Sequence, residues 1–135
     1  MARASVTGKL VESGIPLKKN KHYDARIVDS MLMEKTGSIL VKMEVTGSGD
    51  DKDFNAEGYE IQDFVELNLD KDFPSKTVES LVKRKTGSFF DAVGVDGSDF
   101  DTDELLHKNI AFMGYTKDDG YEVKFMINQY YHSQG

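Results

Sequence analysis

Apolar and polar residues alternate with a period of two in five stretches of the chain, which predicts five β-strands. The first covers residues 22–33 (HYDARIVDSMLM) and the second 38–46 (SILVKMEVT), where Ile39, Val41, Met43 and Val45 share one face and Lys42 and Glu44 point away. In the third, 59–69 (YEIQDFVELNL), Tyr59, Ile61, Val65, Leu67 and Leu69 fall on one side. Phe64 is the anomaly there, because it shares the other side with Glu60, Gln62, Glu66 and Asn68. Residues 74–94 then change to helical spacing, with Pro74 near the first turn and Val78, Leu81 and Val82 on one stripe. Phe89, Phe90 and Val93 read as core anchors of a following turn. Two more strands, 110–116 (IAFMGYT) and 121–131 (YEVKFMINQYY), close the pattern. Between them Lys117-Asp118-Asp119-Gly120 ends in an Asp-Gly pair, a hairpin signal. The order is β-β-β-α-β-β.

The tetrapeptide KTGS occurs twice, at Lys35–Ser38 and at Lys85–Ser88, and Ser80-Leu81-Val82-Lys83 satisfies a Ser-x-x-Lys pattern just before the second copy. Together these suggest a penicillin-recognising serine enzyme. The spacing argues against it, because such enzymes bring the two motifs together from separate elements of a larger fold and need a Ser-Asp-Asn element that this chain lacks. Both copies are therefore expected to be turns: Gly37 supplies a positive φ between the first two strands, and Gly87 ends or interrupts the helix.

Length and composition narrow the classes without choosing one. The 135 residues suit a domain that needs no staple. We expect an N-terminal arm over residues 1–15 and one domain over 16–135. Without cysteine there is no disulfide, thiolate ligand or thiol nucleophile. No apolar run is long enough to span a bilayer and MARASVTGKLVESG has no signal-peptide core, so the chain reads as soluble and cytoplasmic, with no membrane partner. The net charge of −7 would disfavour a polyanion if it were evenly spread. Acid is instead concentrated in residues 47–72 and 91–104, whereas 1–46 and 73–90 are net basic. A local basic track can still bind nucleic acid in a salt-sensitive way.

The element order is that of an OB-fold: a mainly β, five-stranded Greek-key barrel with one helix between strands three and four. Over about residues 16–132 the chain resembles the phage-encoded OB-fold single-stranded DNA-binding proteins of replication and recombination modules. The residues that carry the likeness are KKNKHYDARIVDS, EKTGS with ILVKMEVT, VELNLD, FDAVGV, DELLHKNIAFMGY and YEVKFMINQYY. The resemblance implies sequence-tolerant binding of single-stranded DNA without catalysis or cofactor, beside replication or recombination proteins. It departs from the family in ending NQYYHSQG, with its acid held internally rather than in an acidic tail. Barrel edges could also pair across a homodimer.

An OB-fold binds its strand on the face of strands two and three and with the loops joining strands one to two and four to five. Those loops hold Lys35 and Lys117, and the outward phase of the strands holds Arg26, Lys42, Phe64, Tyr115 and Lys124. Cations to follow phosphates and aromatic faces for stacking are what single-strand binding needs. Each residue also has a plainer reading: an outward aromatic can be covered by a loop or helix, and an outward Lys or Arg is usually just solvated. Lys18, Lys19 and Lys21 extend the track; Lys83, Arg84 and Lys85 are expected to follow the helix, where they are equally well plain surface. Asp99, Asp101, Asp103 and Glu104 open like an EF-hand loop but lack its later Gly and Glu, so a cap before a short helical turn is the better expectation. His22, His107 and His132 match no metal spacing. The competing function is an OB-type adaptor or structural subunit that docks a basic partner through the acidic loops.

Overall fold

The computed structural model describes residues 2–5, 17–48, 56–118, 120–121 and 123–133. The expected arm over 1–15, apart from 2–5, lies outside the described residues, as do most of the acidic loop before the third strand and Asp119 of the last hairpin. The order is β1 (Tyr23–Met33), β2 (Ser38–Gly47), β3 (Glu60–Glu66), α1 (Lys76–Val93), a 3-10 turn (Thr102–Leu105), β4 (Asn109–Asp118) and β5 (Val123–His132). All strands belong to one mainly antiparallel design, a sheet in the order β3-β2-β1-β4-β5.

Strand β1 is the hub. It pairs with β2 along most of its length and with β4 over Tyr23–Arg26, and a bulge between Ile27 and Asp29 lets it bend between the two. The alternation read from sequence sets the inner face: Tyr23, Ala25, Ile27, Ile39, Val41, Met43 and Val45 are buried. They join Ile61 and Val65 of β3 and Phe125, Ile127 and Tyr130 of β5 in a single core. Because both edge strands feed that core, the sheet must curl around it.

The curl does not complete a closed barrel, which corrects the sequence expectation. No ladder joins β3 to β5, and the two strands remain the sheet's edges. Their physical link is a set of side chains. Tyr130 of β5 donates its hydroxyl hydrogen bond to Asp63 of β3, and Lys85 of α1 pairs with the same carboxylate at 2.8 Å. This polar clasp sits where a main-chain ladder would otherwise run.

The helix also differs from expectation. Ser75 caps it by accepting from the Val78 N–H, and Gly94, at φ +70°, ends it. Gly87 interrupts nothing, so the second KTGS is helical and the reading of it as a turn is wrong. Three contacts outweigh the roughly 1 kcal/mol that a mid-helix glycine costs: the Lys85–Asp63 pair, a hydrogen bond from the Thr86 hydroxyl to the Glu66 carbonyl, and one from the Tyr130 N–H to the Ser88 hydroxyl. Lys85 accordingly lies inside the helix rather than after it. Phe89 and Val93 are core residues of α1 itself, while Val78 and Leu81 on the expected packing stripe stay exposed. The first KTGS is a turn, with Gly37 at φ +68° and its N–H bonded to the Met33 carbonyl.

Candidate functional site

Register arranges the outer face of β1, β2 and β3 into cross-strand rows. Arg26, Glu44 and Glu60 form one, Asp29, Lys42 and Gln62 the next, and Met31, Leu40 and Phe64 a third. The face therefore grades from charged to apolar. Arg26 is already engaged with Glu44 at 3.8 Å. Phe64 is 57% exposed, so no loop or helix covers it.

Beside Phe64 the open seam between β3 and β5 forms a groove of about 670 Å³. Phe64 and Gln62 line it from β3, and Val123, Lys124 and Met126 from β5, with Asp63 and Lys85 also on its wall. Burial pushes the Asp63 carboxyl above its ordinary range, against the opposing pull of Lys85 and of hydrogen bonds from Lys85, Tyr130 and the Phe64 N–H. Burial, followed by the charge and hydrogen bond of Asp63, holds the Tyr130 phenol well above its usual value. Tyr130 thus stays a hydrogen-bond donor to Asp63 at neutral pH.

Strand pairing places the β4 candidates beside β5, outside the lining of the groove. Tyr115 stands opposite Met126, and Lys117 opposite Lys124. Tyr115 is 41% exposed, which agrees with its outward phase. That phase follows from the unbroken alternation of Ile110, Phe112 and Gly114; the register shift opposite Met113 and Gly114 adds its extra residue to β5, and Gly114 is required there, since a Cβ would collide with the Met126 carbonyl oxygen.

Of the residues singled out in sequence, Phe64 and Lys124 thus line one groove, with Tyr115 and Lys117 on the adjoining strand. Lys42 lies one row from Phe64, half-buried. Lys35 sits at the exposed β1–β2 turn. Arg26 does not join them: it borders a separate depression with Asp24, Thr46, His107 and Asn109. Sequence reasoning missed Met126, Val123 and Lys85. Met126 shares the outward phase of Lys124 and so was findable; Val123 has the opposite phase at the strand's end, and Lys85 was lost with the misplaced helix end.

The remaining motifs are structural. Lys83 pairs with Glu79 at 3.0 Å along the helix surface, away from any Ser80 partnership. Asp101 caps the 3-10 turn reciprocally with Glu104, and Asp96 accepts from the Ser98 N–H and hydroxyl, which lowers its pKa. Among the described residues no three His, Cys, Asp or Glu side chains cluster in a way that could hold a metal ion. No helix among them is long and apolar enough to cross a membrane. Compared with known proteins, the chain matches no family model and no curated protein.

Proposed function

We propose that this chain binds single-stranded DNA without catalysis, on an OB-type barrel left open along the β3–β5 seam. The four antiparallel pairings, and a helix between β3 and β4, agree with the partly open Greek-key arrangement of an OB-fold. The observation that carries the reading is the groove itself. An exposed Phe64 on one wall and Lys124 on the other supply the aromatic platform and the cation that single strands require. Tyr115, Lys117 and Lys42 extend that surface, and Lys35 marks its turn. With the resemblance noted in sequence, we further propose a role in phage DNA replication or recombination, beside other proteins of those modules.

A second reading is favoured by Met31 and Leu32, which are 53% and 48% exposed at the end of β1. Apolar exposure there suits an adaptor that docks a protein. Fluorescence anisotropy with a labelled dT oligomer and with a duplex of equal length separates the two. Single-strand binding predicts a clear preference for the oligomer, with log affinity falling against log salt by about 0.7 per phosphate contacted. An absence of that preference makes the adaptor the better account.

A further inference from the structure

Phe64 borders a second cleft as well as the groove. On its other side, β3 and the first half of α1 enclose about 370 Å³, at the small end of the range for ligand sites. The apolar lining is Phe64, Phe73, Pro74, Val78 and Val82. The charged lining balances: Glu66 and Asp72 against Lys71 and Lys85. Lys71 is paired with Glu66 and also lies 5.5 Å from the centre of the Phe73 ring.

Such a site suits a flat, uncharged heteroaromatic better than a phosphate, which a neutral lining does not attract. Two aromatic rings give it stacking faces. The Thr86 hydroxyl already donates to Glu66 O, leaving its oxygen as an acceptor. The Lys85 ammonium gives its hydrogen bond to Asp63 and has further protons to donate. Lys85, like Phe64, borders both cavities, so a strand lying in the groove passes the mouth of this cleft.

We propose that the cleft between the Phe64 edge of β3 and the first half of α1 takes up one unstacked base of the bound strand, against Phe64 and Phe73. This rests on the single-strand-binding reading and adds to it a defined base-holding position away from the outer face of β2 and β3. Splayed bases are commonly held this way, stacked on aromatic side chains and met at their polar edges.

The test uses the full chain with a labelled dT oligomer, the parent, Phe73→Ala and Val78→Trp. Val78 is 37% exposed, so a larger side chain there fills the cleft without entering the core, and it keeps the test valid if Phe73→Ala does not fold. Each folded variant is expected to bind about 5- to 140-fold more weakly than the parent, the equivalent of losing one stacked base. The salt slope should not change, because stacking releases no counterions. The methyl resonances of Val78 and Val82 should shift when the oligomer is added to the parent. If the parent prefers single strands but the folded variants match it and those methyls stay still, the cleft proposal is wrong and the groove reading survives. If the parent has no such preference, both fall together.

Discussion

Replacing Lys85 with Met tests whether the clasp neutralises a buried charge. Lys85 and Asp63 are 2.8 Å apart, with side chains only 21% and 12% exposed. Met keeps most of the Lys stem's packing and removes only the ammonium. Breaking such a pair from one side costs about 3–5 kcal/mol, because the other charge is left uncompensated. The protein has an escape, which is to protonate Asp63. From its ordinary value of 3.8, that costs about 1.4 kcal/mol per pH unit, hence about 4 kcal/mol at pH 7 and under about 2 kcal/mol at pH 5. The loss should therefore be about 3–4 kcal/mol at pH 7 and less than half that at pH 5. Urea melts at both pH values measure it, provided the m-value holds. Adding Asp63→Asn should recover most of the loss at pH 7. An equal loss at both pH values would refute the argument, since it would mean that Lys85 acts through packing rather than through the carboxylate. In the parent, burial already holds the Asp63 pKa above 3.8. Its contribution to stability is thus complete below that pH and is lost as the pH rises through the folded-state value.

The two KTGS serines should separate in melts. Ser88→Ala removes the acceptor of the Tyr130 N–H and should cost about 1–3 kcal/mol; Ser38→Ala loses only a side-chain contact with Thr36 and should cost about 1 kcal/mol or less, so equal losses would count against the helix-to-β5 weld. Gly37→Ala meets no close backbone but must adopt φ +68°, at a cost of about 1–2 kcal/mol. Gly114→Ala cannot be accommodated without moving β5, and should exceed Gly37→Ala in destabilisation; a melt showing the reverse order would contradict the tight β4–β5 bulge. In salt titrations with a dT oligomer, Lys124→Ala should flatten the slope by somewhat under one unit, while Phe64→Ala should lower affinity by about 1–3 kcal/mol at constant slope; a steep slope change for Phe64→Ala would misassign its role.

The five strands were legible because their inner faces are buried against one core, and burial enforces a period-two pattern. Phe64 was legible as an anomaly for the converse reason, an aromatic residue in the polar phase; that no loop or helix covers it came only from the structure. What could not be read locally was anything decided by a distant partner. Gly87 is a weak helix residue by itself, yet Asp63, Glu66 and Tyr130 hold the helix through it. The open seam was hidden similarly, since Asp63 looks like one more solvated acid until Lys85 and Tyr130 are brought to it. Arg26 failed to join the groove because a shared outward phase does not specify where around a curled sheet a residue lies.

The seam also bears on the contrast between a net charge of −7 and a polyanionic ligand. Its groove contains Glu60 and Asp63 against Lys85 and Lys124, so it offers no net attraction for phosphate. A strand held there must gain affinity mainly where it loses water, on Phe64, Met126 and the apolar cleft beyond. The clasp makes this arrangement compatible with stability. A main-chain ladder between β3 and β5 would bring the strands to about 5 Å and leave no groove, whereas three side chains hold the edges in one fold while keeping the space between them. Lys85 pairs with Asp63 in the wall of the core and borders both the groove and the cleft. Its side chain is only 21% exposed, so if the proposed binding holds, any contribution of Lys85 should persist at salt concentrations that silence the exposed Lys35 and Lys117.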